Sequence, residues 1–220
     1  MSLILNLETS TKNCSVSFAE NGICITLLEE CYKQYNHSEK LHTFIEYAAE
    51  ISKINLKDLK SICISKGPGS YTSLRIGSSS AKGLCYTLGI PLLSLDSLTI
   101  MTYNYKVNIE KGFLIPIIYA KSDLFYTSLF NESKKRLSSI CVKKVNDSFF
   151  TDFTKNEKVY FIGDVDIFKN ILFSDKKRIF SKKRFFIKIN PSAMDMSFIS
   201  YLKFCNNEFN NIEKFIPFYL

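Results

Sequence analysis

Over the first hundred residues the spacing of apolar positions switches between a strand period and a helix period. Leu3, Ile4, Leu5 and Leu7 form a near-continuous apolar run, which predicts a buried strand over residues 3–8. Cys14, Val16 and Phe18 alternate with Ser15 and Ser17, as in a half-buried strand. Asn21-Gly22 follows, a pair suited to a hairpin turn whose two central residues take positive φ. Ile23, Ile25 and Leu27 resume the alternation, so the chain is expected to open with three antiparallel strands. From Ser38 the period changes. Leu41, Phe44, Ile45, Ala48, Ala49 and Ser52 recur at spacings of three and four, predicting a helix capped by Ser38 with Glu39 in its first turn. A strand over 61–65, a helix ending at Gly89 after about Leu88, a strand over 92–95 and a helix from Ser97 toward Tyr105 complete a β-β-β-α-β-α-β-α order.

That order predicts an α/β fold, a mixed sheet with helices on its faces. A polar stretch, Asn104 to Lys111, then separates this part from further strands expected at 115–119, 124–130, 140–145 and 159–162. Ser192, after Asn190-Pro191, is expected to cap a terminal helix reaching about Phe204. Two lobes follow, an N-terminal one at 1–105 and a C-terminal one at 106–220. No internal repeat stands out.

Composition narrows the functional classes. The 220 residues are 46% hydrophobic and 23% charged, enough to build a core and unlike a disordered chain. Lys, Asn and Asp interrupt every apolar run, so no membrane span is expected, and Met1 is followed directly by a strand pattern rather than a basic leader. The expected location is the cytoplasm. Seven cysteines occur with no C-x-x-C pair and only two histidines, His37 and His42. A zinc site is not expected, and the thiols read as small buried side chains in a reducing compartment. The net charge of +8 lies entirely in residues 106–190, in clusters such as Lys134-Lys135-Arg136 and Lys182-Lys183-Arg184. A basic face attracts nucleic acid, yet no aromatic-interleaved RNA motif accompanies these lysines along the chain, and a solvated face is the simpler reading.

The segment Gly67-Pro68-Gly69-Ser70-Tyr71-Thr72-Ser73-Leu74-Arg75-Ile76-Gly77 carries the most information. It joins a strand to a helix, where glycines allow a tight turn and helix amides can hold an anion. Gly67, Gly69, Ser70 and Arg75 are therefore candidate anion or nucleotide contacts, with Thr72 a candidate cap. Neither the Walker spacing nor the dinucleotide pattern is present, so a turn built for close packing is the competing reading. The small residues Gly77, Ser78, Ser79, Ser80, Ala81 and Gly83 favour packing, because so bare a helix lets another backbone come near.

This run, continued by Ala81-Lys82-Gly83-Leu84 and Leu88-Gly89-Ile90-Pro91, resembles the signature of the TsaB/TsaD superfamily. Ile4-Leu5-Asn6-Leu7-Glu8-Thr9-Ser10 resembles its first strand and His37-Ser38-Glu39-Lys40-Leu41 the start of its first helix. Ala120-Lys121, Gly163-Asp164, Ser192-Ala193-Met194 and the ending Pro217-Phe218-Tyr219-Leu220 are weaker echoes. Ser73 departs from the glycine usual in TsaB members, and Tyr119 from a frequent aspartate. The catalytic member, TsaD, carries a metal-binding H-x-x-x-H where this chain reads Leu93-Ser94-Leu95-Asp96-Ser97-Leu98-Thr99. His37 and His42 are five residues apart, about 140° around a helix, too far for one ion.

The resemblance therefore points to the bacterial TsaB (YeaZ) family and implies an actin-like (ASKHA) fold of two lobes. It implies a non-catalytic subunit, without cofactor or metal, required for threonylcarbamoyl-adenosine modification of tRNAs reading ANN codons. The implied partners are TsaD, as a heterodimer, and the TsaE ATPase, with tRNA reached through the complex; for the chain alone, a homodimer and a monomer stay open as alternatives. The pairing surface is expected on the first two helices, at Leu41, Phe44, Ile45, Ala48, Leu74, Gly77, Ser78 and Ala81. The alternative is an autonomous nucleotide hydrolase or peptidase of the same fold, or a plain tRNA-binding module. Against a hydrolase, no G-x-S-x-G elbow is present, and Glu8 is a lone acid where actin-like ATPases bind metal.

Overall fold

A computed structural model describes residues 2–31, 37–145, 157–173 and 183–219. The chain divides into two units, residues 1–100 with 191–219, and residues 101–190 with 220.

In the first unit, β1 (Leu3–Glu8), β2 (Asn13–Glu20) and β3 (Ile23–Cys31) form the expected antiparallel meander. Asn21 and Gly22 have φ of 49° and 84°, the two positive values that their hairpin turn requires. β4 (Ser61–Ser65) and β5 (Leu92–Leu95) add in parallel, and the strand order is β3-β2-β1-β4-β5. Helix α1 (His37–Ser52) begins one residue before Ser38, which lies in the first turn rather than at the cap. Helix α2 (Tyr71–Leu88) starts after Ser70, not at Thr72, and stops at Gly89, whose left-handed φ of 66° turns its N–H back to the Cys85 carbonyl. Both helices pack on one sheet face, where Leu5, Leu7, Val16, Phe18, Leu41, Ile45, Ile62, Ile64 and Ala81 join one core. Helix α3 (Ser97–Thr102) is three residues shorter than its pattern suggested.

The last helix, here α5 (Ala193–Cys205), corrects the expected boundary at 106–220. Residues 191–219 belong to the first unit, because α5 covers the sheet face opposite α1 and α2. This buries Asn13, Ser15 and Ser17 on β2, a strand whose alternation suggested one wet face. Their polar groups are met by the start of α5. Asn13 Nδ2 donates to the Pro191 carbonyl at 3.1 Å, Ser17 Oγ to the Ala193 carbonyl at 2.9 Å, and Ala193 N–H to Ser15 Oγ at 2.9 Å. Ser192 caps the helix as expected, accepting from Met194 N–H while donating to Glu29 at 2.7 Å. Ser192→Ala is expected to cost about 1 kcal/mol, read by urea denaturation.

The second unit holds β6 (Phe113–Lys121), β7 (Leu124–Thr127), β8 (Phe130–Asn131), β9 (Cys141–Lys144), β10 (Val159–Gly163) and β11 (Arg184–Lys188). Helix α4 (Val165–Phe173) and β11 were not distinguished in the pattern. The order is β11-β10-β6-β7-β9, with β8 paired to β6. Read from the other edge, two antiparallel strands, a centre and two parallel strands repeat the plan of the first sheet. Val165, Phe168 and Leu172 of α4 pack on Phe125, Val159 and Phe161 of this sheet. Among the described residues no helix is long and apolar enough to cross a membrane.

Candidate functional site

The first strand ends in a buried polar cluster. Glu8 is completely buried, and its Oε1 accepts the Ser10 N–H at 2.6 Å, while Oε2 has no hydrogen-bond partner. Burial pushes the Glu8 carboxyl from 4.5 up to about 7, opposed by hydrogen bonding from Ser10 and reinforced by Asp195 in the first turn of α5. The hydroxyl of Thr9 is buried without a partner. Thr9 N–H is held by Ser65 Oγ, so the turn after β1 is tied to the end of β4.

The glycine turn closes over this cluster. Ser70 N–H donates to the Ser10 carbonyl at 2.7 Å, and a Cβ on Gly69 would fall 2.1 Å from that same oxygen. Gly67, with φ of 97° and a cis bond to Pro68, has its open side filled by the Phe218 carbonyl and Leu74. Phe218 N–H donates to the Lys66 carbonyl at 2.7 Å, and Lys82 Nζ donates to the carbonyls of Glu213 and Phe215. The C-terminal tail is thereby strapped along the turn. Of the four candidate anion contacts, Gly67 and Gly69 both present their bare faces to carbonyl oxygens, which repel an anion. The packing reading of the turn gains from this. Ser70 is the cap without a side-chain cap bond, and Ser73 Oγ donates to its hydroxyl at 3.1 Å. Arg75 is exposed and lies over the Tyr71 ring, 4.3 Å from its centre, with Tyr219 against that ring's neighbourhood at 4.8 Å.

The expected pairing residues are placed differently. Leu41, Ile45, Ala48, Leu74, Gly77, Ser78 and Ala81 are buried and Phe44 is half-buried, so these side chains make the packing of α1 and α2 inside this unit. A Cβ on Gly77 would meet Thr9 Oγ1 and Ile64, which is why α2 approaches β1 so closely. The surface that the two helices share is one step further round. There His42 Nε2 meets Ser80 Oγ at 3.1 Å, Gly83 has nothing within 4 Å of where a Cβ would sit, and Tyr86 is 84% exposed. Tyr47 and Ile51 are exposed on α1. Periodicity could not separate the inward stripe from the outward one, because α2 is small on both sides; only Gly83 and Tyr86 signalled it.

Other groups are poorly suited to nucleophilic or metal chemistry. All seven cysteines are free; Cys14, Cys63 and Cys85 are buried, and burial pushes the first and last up to about 12. Burial also lowers His37, against hydrogen bonding of the ring to the backbone of Asn13 and Thr11. Among the described residues no three His, Cys, Asp or Glu side chains are grouped to hold a metal ion.

Comparison with known proteins places this geometry. Residues 32–209 match the family model of TsaD, tRNA N6-adenosine threonylcarbamoyltransferase. The transferase of that name from Staphylococcus aureus is 31% identical over 131 residues, covering 53% of this chain and 38% of the enzyme. The tRNA threonylcarbamoyladenosine biosynthesis protein TsaB of Buchnera aphidicola from Acyrthosiphon pisum is 30% identical over 157 residues, covering 71% of this chain and 69% of that protein. The structure of YeaZ from Pseudomonas aeruginosa superposes with a TM-score of 0.82 at 20% identity, covering both chains completely, and shows the same fold. The glycine turn, the two-unit α/β fold and a match of this extent in length and order agree: this chain belongs to the TsaB (YeaZ) family of tRNA threonylcarbamoyladenosine biosynthesis proteins.

Proposed function

We propose that this chain is the non-catalytic subunit of a cytoplasmic threonylcarbamoyl-adenosine-forming assembly. It pairs with the TsaD transferase and engages the TsaE ATPase, and the assembly modifies tRNAs reading ANN codons. The observation that carries the pairing is the bare outer face of α2 at Gly83. A glycine inside a helix costs about 1 kcal/mol against alanine. At Gly83 no neighbour within this chain exploits the missing side chain, whereas at Gly77 β1 does. Close approach of another backbone to Gly83, one turn before the exposed Tyr86 on the same helix, accounts for it. A second copy of the chain uses the same face when the partner is absent.

Two features support the non-catalytic reading. Glu8 is sealed from solvent and held near neutrality, which makes it a poor metal ligand. The buried thiols are far from ionisation at neutral pH.

Gly83→Arg tests the pairing. The site is open and its backbone conformation suits any residue, so the fold is expected to keep or slightly raise its melting temperature. Co-purification with TsaD is expected to fall by at least about tenfold, because an arginine blocks backbone approach. Undiminished pairing would show that the interface lies elsewhere. Ala81→Arg is no test, since it would place a charge in the core. ATP turnover by the chain alone is expected at background; measurable hydrolysis would favour the autonomous enzyme.

A further inference from the structure

We propose that the β10–β11 edge of the second sheet is a stacking platform for an unpaired stretch of tRNA, an inference that rests on the tRNA-modifying role above. Tyr160 and Phe185 are register partners on adjacent parallel strands, with rings stacked at 4.7 Å and 16°. β11 ends the strand order, so no described strand covers the far side of Phe185, which is 38% exposed. Two residues before each ring stand Lys158 and Lys183, both exposed. The pairing also extends to this level, since Val159 N–H donates to the Lys183 carbonyl at 3.0 Å. The platform is thus a pair of stacked rings on adjacent strands, each two residues after an exposed lysine that stands just before its strand, Lys158 before β10 and Lys183 before β11. The intervening Val159, with Phe161 and Phe186, faces the core on the other side, and Arg184 donates to the Glu157 carbonyl at 2.7 Å. The exposed Phe185 ring and the half-buried Tyr160 ring are outside the cluster that holds α4 on the sheet.

The chemistry selects the occupant. A flat ring face with cations about two residues away fits a base with its flanking phosphates. Duplex RNA keeps its bases stacked on one another, so only a loop or an end offers a free one. In the sequence, residues 106–190 carry 18 basic and 9 acidic side chains, a balance that favours a polyanion over a protein surface.

The test uses the full chain, alone and in complex with TsaD, titrated against a labelled, unmodified transcript of a tRNA reading ANN codons. Fluorescence anisotropy is expected to show Phe185→Ala and Tyr160→Ala each weakening binding roughly tenfold. Phe185→Leu keeps an apolar side chain but lacks the π-face, and is expected to weaken binding similarly, which guards against a folding artefact. Lys158→Ala and Lys183→Ala are each expected to flatten the dependence of log affinity on log salt by about 0.7 to 0.9. A duplex RNA of equal length is expected to be indifferent to the ring substitutions. Wild-type affinity in the ring variants, or no transcript binding by the wild type in either state, overturns the proposal. So does loss of TsaD binding, with RNA binding intact, in the ring variants, which would assign the rings to a protein. Gly83→Arg reports the subunit reading separately, because transcript binding by the chain alone does not pass through that face.

Discussion

Glu8→Gln is expected to abolish a loss of stability that the wild-type chain suffers as pH rises from about 4.5 to about 7. Below that window the carboxyl is protonated in both folded and unfolded chains, and no penalty arises. Within it the unfolded chain ionises while the folded chain holds its proton, so each rise in pH favours unfolding. Above it the penalty is complete. A shift from 4.5 to about 7 corresponds to about 3 kcal/mol. Burial is the leading cause, and Asp195 adds to it. Gln keeps an oxygen to accept the Ser10 N–H but puts an NH₂ where Oε2 has no partner. That donor costs about 1–3 kcal/mol at every pH. The variant should therefore be less stable than wild type at pH 5 and comparable at pH 8. Urea denaturation across that range reads the slope; an unchanged slope would show that Glu8 is not the titrating group.

Gly69→Ala is expected to cost about 3 kcal/mol or more, at the severe end for overpacking. The added Cβ meets the Ser10 carbonyl oxygen at 2.1 Å and its carbon at 2.8 Å. Backbone cannot rotate aside as a side chain can, and Ser10 is pinned from both directions. Its N–H is on Glu8 and its carbonyl takes the Ser70 N–H. Gly83→Ala makes the matched control, because a Cβ there meets nothing within 4 Å. It is expected to gain up to about 1 kcal/mol through helix propensity. Opposite signs in thermal melts are the expected result; a shared sign would mean that spacing around the two glycines does not govern their roles.

The contrast shows which parts of the site were legible along the chain. Both glycines announced themselves as special, and the strand-to-helix turn was placed correctly at 67–71. Their purposes were not legible. Gly69 is required by a residue fifty-nine positions earlier, whereas Gly83 is required by nothing inside the unit. The helix stripes show the same limit. Leu41, Phe44, Ile45, Ala48, Ala49 and Ser52 read as one coherent face along α1, but a face that packs on its own sheet and one that docks a partner have the same period.

Local interactions, then, are what the sequence by itself determined about this protein. The opening hairpin follows from Asn21-Gly22, the end of α2 from Gly89 and the start of α5 from Ser192, since each depends on the conformational preference of one or two residues. The family resemblance rests on such ordered signals too. Tertiary structure alone decided which surfaces were left free. It returned 191–205 to the first sheet, turning Ser15 and Ser17 from a solvent face into a buried one. It set a second sheet in the topology of the first without any repeat in the residues, because burial asks for apolar positions and not for particular ones. It also brought Tyr160 onto Phe185, two rings twenty-five residues apart in the chain that only strand pairing stacks.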